Sequence, residues 1–134
     1  MRNDEFYMSK CIEIAKKGMQ NTSPNPMVGC VIVHNDKIIA RAYNMCERLC
    51  DPTAHAEVTA IRNACERLGT HDLSGCDIYT SCEPCPMCLS AIYWAHLDNI
   101  YYANTRDDAA AIGFDDEFLY REVATPIDQR QKPM

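Results

Sequence analysis

The sequence predicts an α/β domain in which helices pack on both faces of a mixed sheet, a three-layer α/β/α architecture. Two observations carry that expectation. Helical periodicity and short β-branched runs follow one another in the order α-β-β-α-β-α-β-α. Proline, glycine and asparagine punctuation falls between these segments rather than within them. At 134 residues, one domain spanning 1–134 is expected.

The elements follow in order. From Asp4 to Gln20, the residues Phe6, Met8, Cys11, Ile12, Ala15 and Met19 recur at three- and four-residue steps. This is a helix whose end is marked by Gly18 and Asn21. The stretch TSPNPMVG is loop, because Pro24 and Pro26 bar their preceding residues from helix. The β-branched run Val28–Val33, the pair Asn35-Asp36 and the apolar run from Ile38 read as a hairpin.

Thr53 is placed to cap a helix from Ala54 to Leu68, closed by Gly69, with Val58, Ile61, Cys65 and Leu68 on its apolar face. Asp77 to Ser81 is a short strand. Pro84 is expected to open the next helix, which runs to Ala95, because proline suits a first turn. Asn99 to Asn104 is a further strand. Thr105 can cap a short helix with Asp107 and Asp108 in its first turn, and the chain from Glu117 reads as helical.

Composition narrows the function. Hydrophobic residues make up 47%, too many for a disordered chain. No run of eighteen apolar residues is present and the N-terminus has no signal-peptide core, so neither a membrane span nor secretion is expected. The net charge is −6, and Lys16-Lys17, Arg41, Arg62, Arg67, Arg121, Arg130 and Lys132 are scattered, which argues against nucleic acid as a partner. Nine cysteines, an odd number, fit free thiols and metal ligands in a reducing cytoplasm better than a disulfide framework.

Two short motifs carry chemistry. PTAHAEV sets His55 and Glu57 at the start of one helix, and EPCPMC sets Cys85 and Cys88 at the start of another. Positions three apart share a helix face, so both sulfurs can reach one metal. Helix N-termini also favour thiolate over thiol. His55, Cys85 and Cys88 would leave the fourth tetrahedral position of a zinc ion open, the catalytic arrangement, with Glu57 beside it. Zinc lowers the pKa of a bound water from 15.7 to about 7. A neighbouring carboxylate can move protons from that water to a ring nitrogen and then to departing ammonia. The H-x-E and P-C-x-x-C pair is the established signature of zinc nucleobase deaminases.

Two other readings compete. Cys82, Cys85 and Cys88 could close a four-thiolate structural knot with Cys46, Cys50 or Cys76, or the CxxC could be a redox pair. Both leave HAE unexplained, and Cys82 precedes the proline-started helix, so it need not share the face of the other two. His34, His71 and His96 read as structural or exposed. Cys11, Cys30 and Cys65 read as packing residues. Trp94 follows the cysteine helix and could line a pocket.

The motifs HAE and PCPMC resemble those of the cytidine deaminase-like superfamily. The longer runs DPTAHAEVTAIR, YTSCEPCPMC, AIYWA and GFDDEF are most similar to bacterial zinc-dependent guanine deaminases, over about Val31 to Pro126. The resemblance implies a central mixed sheet of about five strands. It also implies one Zn2+ per chain on His55, Cys85 and Cys88, with Glu57 as proton shuttle. For the purine it implies hydrogen bonds from Asn44 and the Ala56 backbone N–H, Trp94 in the pocket wall and Asp116 near the base. It further implies a homodimer with helices packed across its interface.

An ionised Asp116 only accepts hydrogen bonds, which suits the N–H edge of guanine and not the bare ring nitrogen of adenine. Two stretches depart from that family. NPMVG stands where it carries GGPFG, so Val28 replaces an aromatic that packs on the base; PNPMVGC is instead similar to the deaminase domain of riboflavin biosynthesis proteins. The chain stops at PIDQRQKPM, without the family's long C-terminal tail. A more open pocket would admit another aminated base or nucleoside: guanosine, cytosine or an amino-triazine. The tRNA adenosine deaminases share the same metal motifs.

Overall fold

The computed structural model describes residues 3–18, 28–111 and 117–134. Helix α1 (Asp4–Gly18) leads to the hairpin β1 (Gly29–His34) and β2 (Lys37–Tyr43). A four-residue helix α2 (Cys46–Leu49) and the longer α3 (Ala56–Leu68) follow. Then come β3 (Cys76–Cys82), α4 (Pro86–Trp94), β4 (Asn99–Asn104), α5 (Arg106–Ala111), α6 (Glu117–Ala124) and a 3-10 turn at Ile127–Gln129.

The sheet order is β2-β1-β3-β4. β1 is antiparallel to both β2 and β3, while β3 and β4 run parallel. The mixed character follows from the connections. Asn35 and Asp36, at φ 50° and 61°, make the tight turn of the hairpin. The parallel pair needs the crossover that α4 supplies. Four strands are present among the described residues, against about five expected, because the chain after β4 continues as the helices α5 and α6.

β1 is central and buried on both faces, which explains its unbroken apolar run. Its alternate residues enter two cores. Cys30 and Ile32 pack with Ala56, Ala60 and Ala64 of α3 and Ile92 of α4. Val31 and Val33 pack with Tyr7, Cys11 and Ile14 of α1 and with Tyr79 of β3. Three layers result: α1, the sheet, and α3 with α4.

Two helix starts differ from the sequence expectation. Thr53 does not cap α3. Its N–H and hydroxyl both donate to Asp51 Oδ1, at 2.8 and 2.7 Å, so it belongs to the preceding turn and His55 takes the cap position. Likewise Pro86, not Pro84, opens α4, because Cys85 precedes a proline and is held extended. The element order expected from the sequence has no counterpart of the short helix α2 at Cys46–Leu49. Gly69 closes α3 at φ 68° as expected.

Gly29 fixes how closely α1 sits on the sheet. A Cβ there would lie 1.8 Å from the carbonyl oxygen of Cys11 and 2.6 Å from the backbone nitrogen of Ala15. Neither atom can move without shifting the helix. Gly29→Ala is expected to destabilise the fold by about 3 kcal/mol, read as a lowered urea midpoint in far-UV circular dichroism.

Candidate metal centre and active site

The site forms where the N-termini of α3 and α4 meet. His55 (φ −64°, ψ 161°) and Cys85 (φ −68°, ψ 168°) are the N-cap residues of the two helices, and Cys88 lies one turn into α4. An N-cap side chain and one three residues on project over the same first turn, so Cys85 and Cys88 converge. The imidazole Nδ1 of His55 lies 3.6 Å from Cys85 Sγ and 3.6 Å from Cys88 Sγ. All three donor atoms fall within 4.8 Å of one another.

This geometry fits zinc. Bonds of about 2.0–2.1 Å to nitrogen and about 2.3 Å to sulfur, set at the tetrahedral angle, put nitrogen and sulfur about 3.6 Å apart. With Nδ1 as ligand atom, the imidazole proton belongs on Nε2. Among the described residues this is the one His/Cys/Asp/Glu group close enough to hold a metal. The four-thiolate knot is therefore not formed. Cys82 ends β3 in register with Asn104, Cys46 points at the Pro52 carbonyl and Cys50 at that of Glu47. Cys76 lies 3.6 Å from Nδ1 of His34 at the other end of β3.

Electrostatics separates the ligand thiols from the packing thiols. Without metal, Cys85 and Cys88 share a hydrogen bond. It pulls the Cys85 thiol down to about 4, with further help from His55, and holds the Cys88 thiol up, an effect that burial and the Glu57 carboxylate reinforce. One thiolate is ready, and the second proton leaves as metal binds. Cys11 and Cys30, by contrast, are pushed up chiefly by burial, Cys11 to about 12, so both remain neutral packing groups.

Glu57 is 5% exposed, in the first turn of α3 two residues beyond His55, and its charge reaches Cys88, Cys11 and Cys30. Asn44 is 7% exposed, and its Oδ1 accepts the N–H of Cys46 at 2.9 Å. The N–H of Met45 donates to the carbonyl of Ala54 at 2.9 Å, which ties the Asn44 turn to the loop leading into His55. Ala56 is buried at the first position of α3, where a backbone N–H lies outside the intrahelical ladder.

Trp94 ends α4 at 81% exposure beside Tyr93 at 67%, on the surface of the single chain. Asp116 lies outside the described residues.

A set of contacts that the motifs do not announce surrounds the Cys85 loop. The Tyr120 hydroxyl donates to the Pro84 carbonyl at 2.6 Å. The Arg106 guanidinium lies 4.3 Å from the centre of the Tyr120 ring, and the Arg106 N–H donates to Glu83 Oε1 at 2.9 Å. Tyr120 is thirty-six residues from Pro84 in sequence, and no local spacing rule links them.

A His/Cys/Cys set at two helix N-termini, its sulfurs buried and its imidazole half-buried, with a carboxylate beside it, on a mixed sheet between helices, defines a zinc-dependent deaminase-type domain. The chain belongs to the family described as the cytidine and deoxycytidylate deaminase zinc-binding region, which matches residues 1–104. Guanine deaminase of Bacillus subtilis (strain 168) is 47% identical over 131 residues, 98% of this chain and 83% of that protein. A crystal structure of B. subtilis guanine deaminase superposes with a TM-score of 0.93 at 46% identity, covering 99% of this chain and 84% of that one. The tRNA-specific adenosine deaminase of Aquifex aeolicus is 37% identical over 99 residues, 74% of this chain and 64% of that protein. A solved chain in complex with 2,6-diaminopurine gives a TM-score of 0.78 at 30% identity, over 87% of this chain and 64% of that one.

Proposed function

We propose that this single-domain protein is a zinc-dependent guanine deaminase, converting guanine and water to xanthine and ammonia. The observation that carries the reading is the His55–Cys85–Cys88 triangle with Glu57 beside it, in a chain that aligns with B. subtilis guanine deaminase over nearly its whole length. When bound, zinc supplies a Lewis acid and an activated water.

The chain's own residues do the rest. Glu57 accepts a proton from the attacking water and delivers it to the ring nitrogen. It then delivers the second to the amino group, so that the new C–O bond forms, the C–N bond breaks and ammonia leaves. Asn44 has its Oδ1 engaged by Cys46, so its amide Nδ2 is the group to serve as donor to purine acceptors. Ala56 N–H is a second donor, and Asp116 an acceptor for the N–H edge of guanine.

Asn44→Asp isolates the donor, because it retains an oxygen for the Cys46 N–H. It is expected to lower kcat/KM for guanine about 10- to 100-fold, the effect of an unpaired group facing the base. An ammonia-release screen of zinc-loaded protein over guanine, guanosine, adenine, cytosine and amino-triazines tests the substrate. Guanine should be the best. An inert guanine reaction with full zinc overturns the substrate assignment. Deamination of tRNA adenosine in its place would favour the second relative, against the net charge of −6 and scattered basic residues.

Trp94 and Tyr93 at the end of α4 and Tyr102 on the edge strand β4 are exposed aromatics, which supports a homodimer packed through that side. A sedimentation mass of one chain at micromolar concentration would overturn it. No helix among the described residues is long and apolar enough to cross a membrane. The nine unbridged cysteines suit a reducing compartment such as the cytoplasm, where purine bases are turned over.

A further inference from the structure

We infer that Tyr120 is a positioning residue for the metal site, and that Arg106 holds Tyr120 in place. The inference rests on zinc being held by His55, Cys85 and Cys88, and concerns how the Cys85 ligand keeps its aim. The stretch Glu83-Pro84-Cys85-Pro86 is stiff almost everywhere. Glu83 is anchored twice: its N–H donates to the Asn104 carbonyl at 2.7 Å, and its carboxylate accepts the Arg106 N–H at 2.9 Å. The Pro84 ring fixes its own φ. Pro86 restricts Cys85 to the extended conformation it adopts, at ψ 168°.

One soft unit remains, the peptide plane between Pro84 and Cys85, which turns through the ψ of Pro84 and the φ of Cys85. That turn swings the Cys85 side chain. The oxygen of this same plane is the atom that accepts the Tyr120 hydroxyl at 2.6 Å. The bond comes from α6, and its ring is held by the Arg106 guanidinium at 4.3 Å; Arg106 Nε also lies 3.8 Å from Glu117 Oε2 at the start of α6. A helix thirty-odd residues downstream thus sets the last soft backbone pair leading into a metal ligand.

The test reads metal rather than turnover. Zinc-loaded wild type, Tyr120→Phe and Arg106→Met are mixed with excess chromogenic chelator, and the release rate is followed. Tyr120→Phe keeps the ring and loses only the hydroxyl. It should release zinc at least about 10-fold faster, the scale seen when the outer partners of metal ligands are removed. Arg106→Met should give a smaller acceleration, about threefold, because the Glu83 bond uses the Arg106 backbone and survives. Phe118→Ala, an exposed change on the same helix, should release at the wild-type rate.

With cobalt in place of zinc, the sulfur-to-metal absorption band should shift in Tyr120→Phe and not in Phe118→Ala. Wild-type release rates and cobalt spectra in both Tyr120→Phe and Arg106→Met overturn the inference. Equal acceleration by Phe118→Ala also overturns it, by reducing the contact to general docking of α6. A wild-type protein that takes up no zinc fails the metal reading instead, and the positioning role falls with it.

Discussion

Glu57→Gln should leave the protein folded and zinc-loaded while ammonia release from guanine falls by about 10²- to 10⁴-fold. The substitution keeps size and shape and removes only the ability to take and return a proton. The side chain is 5% exposed, at the second position of α3, where bulk water cannot take over its role. It is not one of the three clustered donor atoms, so metal content should stay at about one per chain by elemental analysis. Retention of more than about a tenth of wild-type turnover would place the proton transfers elsewhere.

Replacing a ligand should give the opposite pattern. Cys85→Ala and Cys88→Ala are each expected to lose both zinc and activity, because two remaining protein ligands do not hold the ion against a chelator. Melting temperature should drop with the lost metal, since a ligand that binds only the native state stabilises it by mass action. Cys82→Ala is the informative partner. Its sulfur lies outside the metal cluster, at the end of β3, so zinc should be retained at the wild-type level. Equal zinc loss in Cys82→Ala and Cys85→Ala would mean a site closed by four protein groups and no room for water.

The site was legible because it is local twice over. His55 with Glu57 and Cys85 with Cys88 are each confined to the first turn of one helix, where spacing alone dictates direction. Only the meeting of the two helices is tertiary, and the suitability of one imidazole and two thiolates as three legs of a tetrahedral zinc site bridges that gap. The hairpin was legible for the same reason, since Asn35 and Asp36 tolerate positive φ.

The starts of α3 and α4 were each misplaced by two residues. Thr53 is engaged by Asp51, and Pro86 rather than the expected Pro84 takes the first-turn place of α4. Exposure at the end of α4 was not legible, because nothing local distinguishes an indole facing a cavity from one facing solvent. The Tyr120–Pro84 bond was invisible for a deeper reason. It joins segments brought together only by the finished fold, and tyrosine on a helix carries no signal of its own.

Trp94 is the chain's single indole, and 81% of it faces outward. Ultraviolet emission from this protein therefore reports one place on one face, with no interior tryptophan to mask it. A lone subunit should emit at the long wavelength of a wet indole. Any molecule that settles against the end of α4 should move that emission toward the blue, a built-in optical gauge that needs no label.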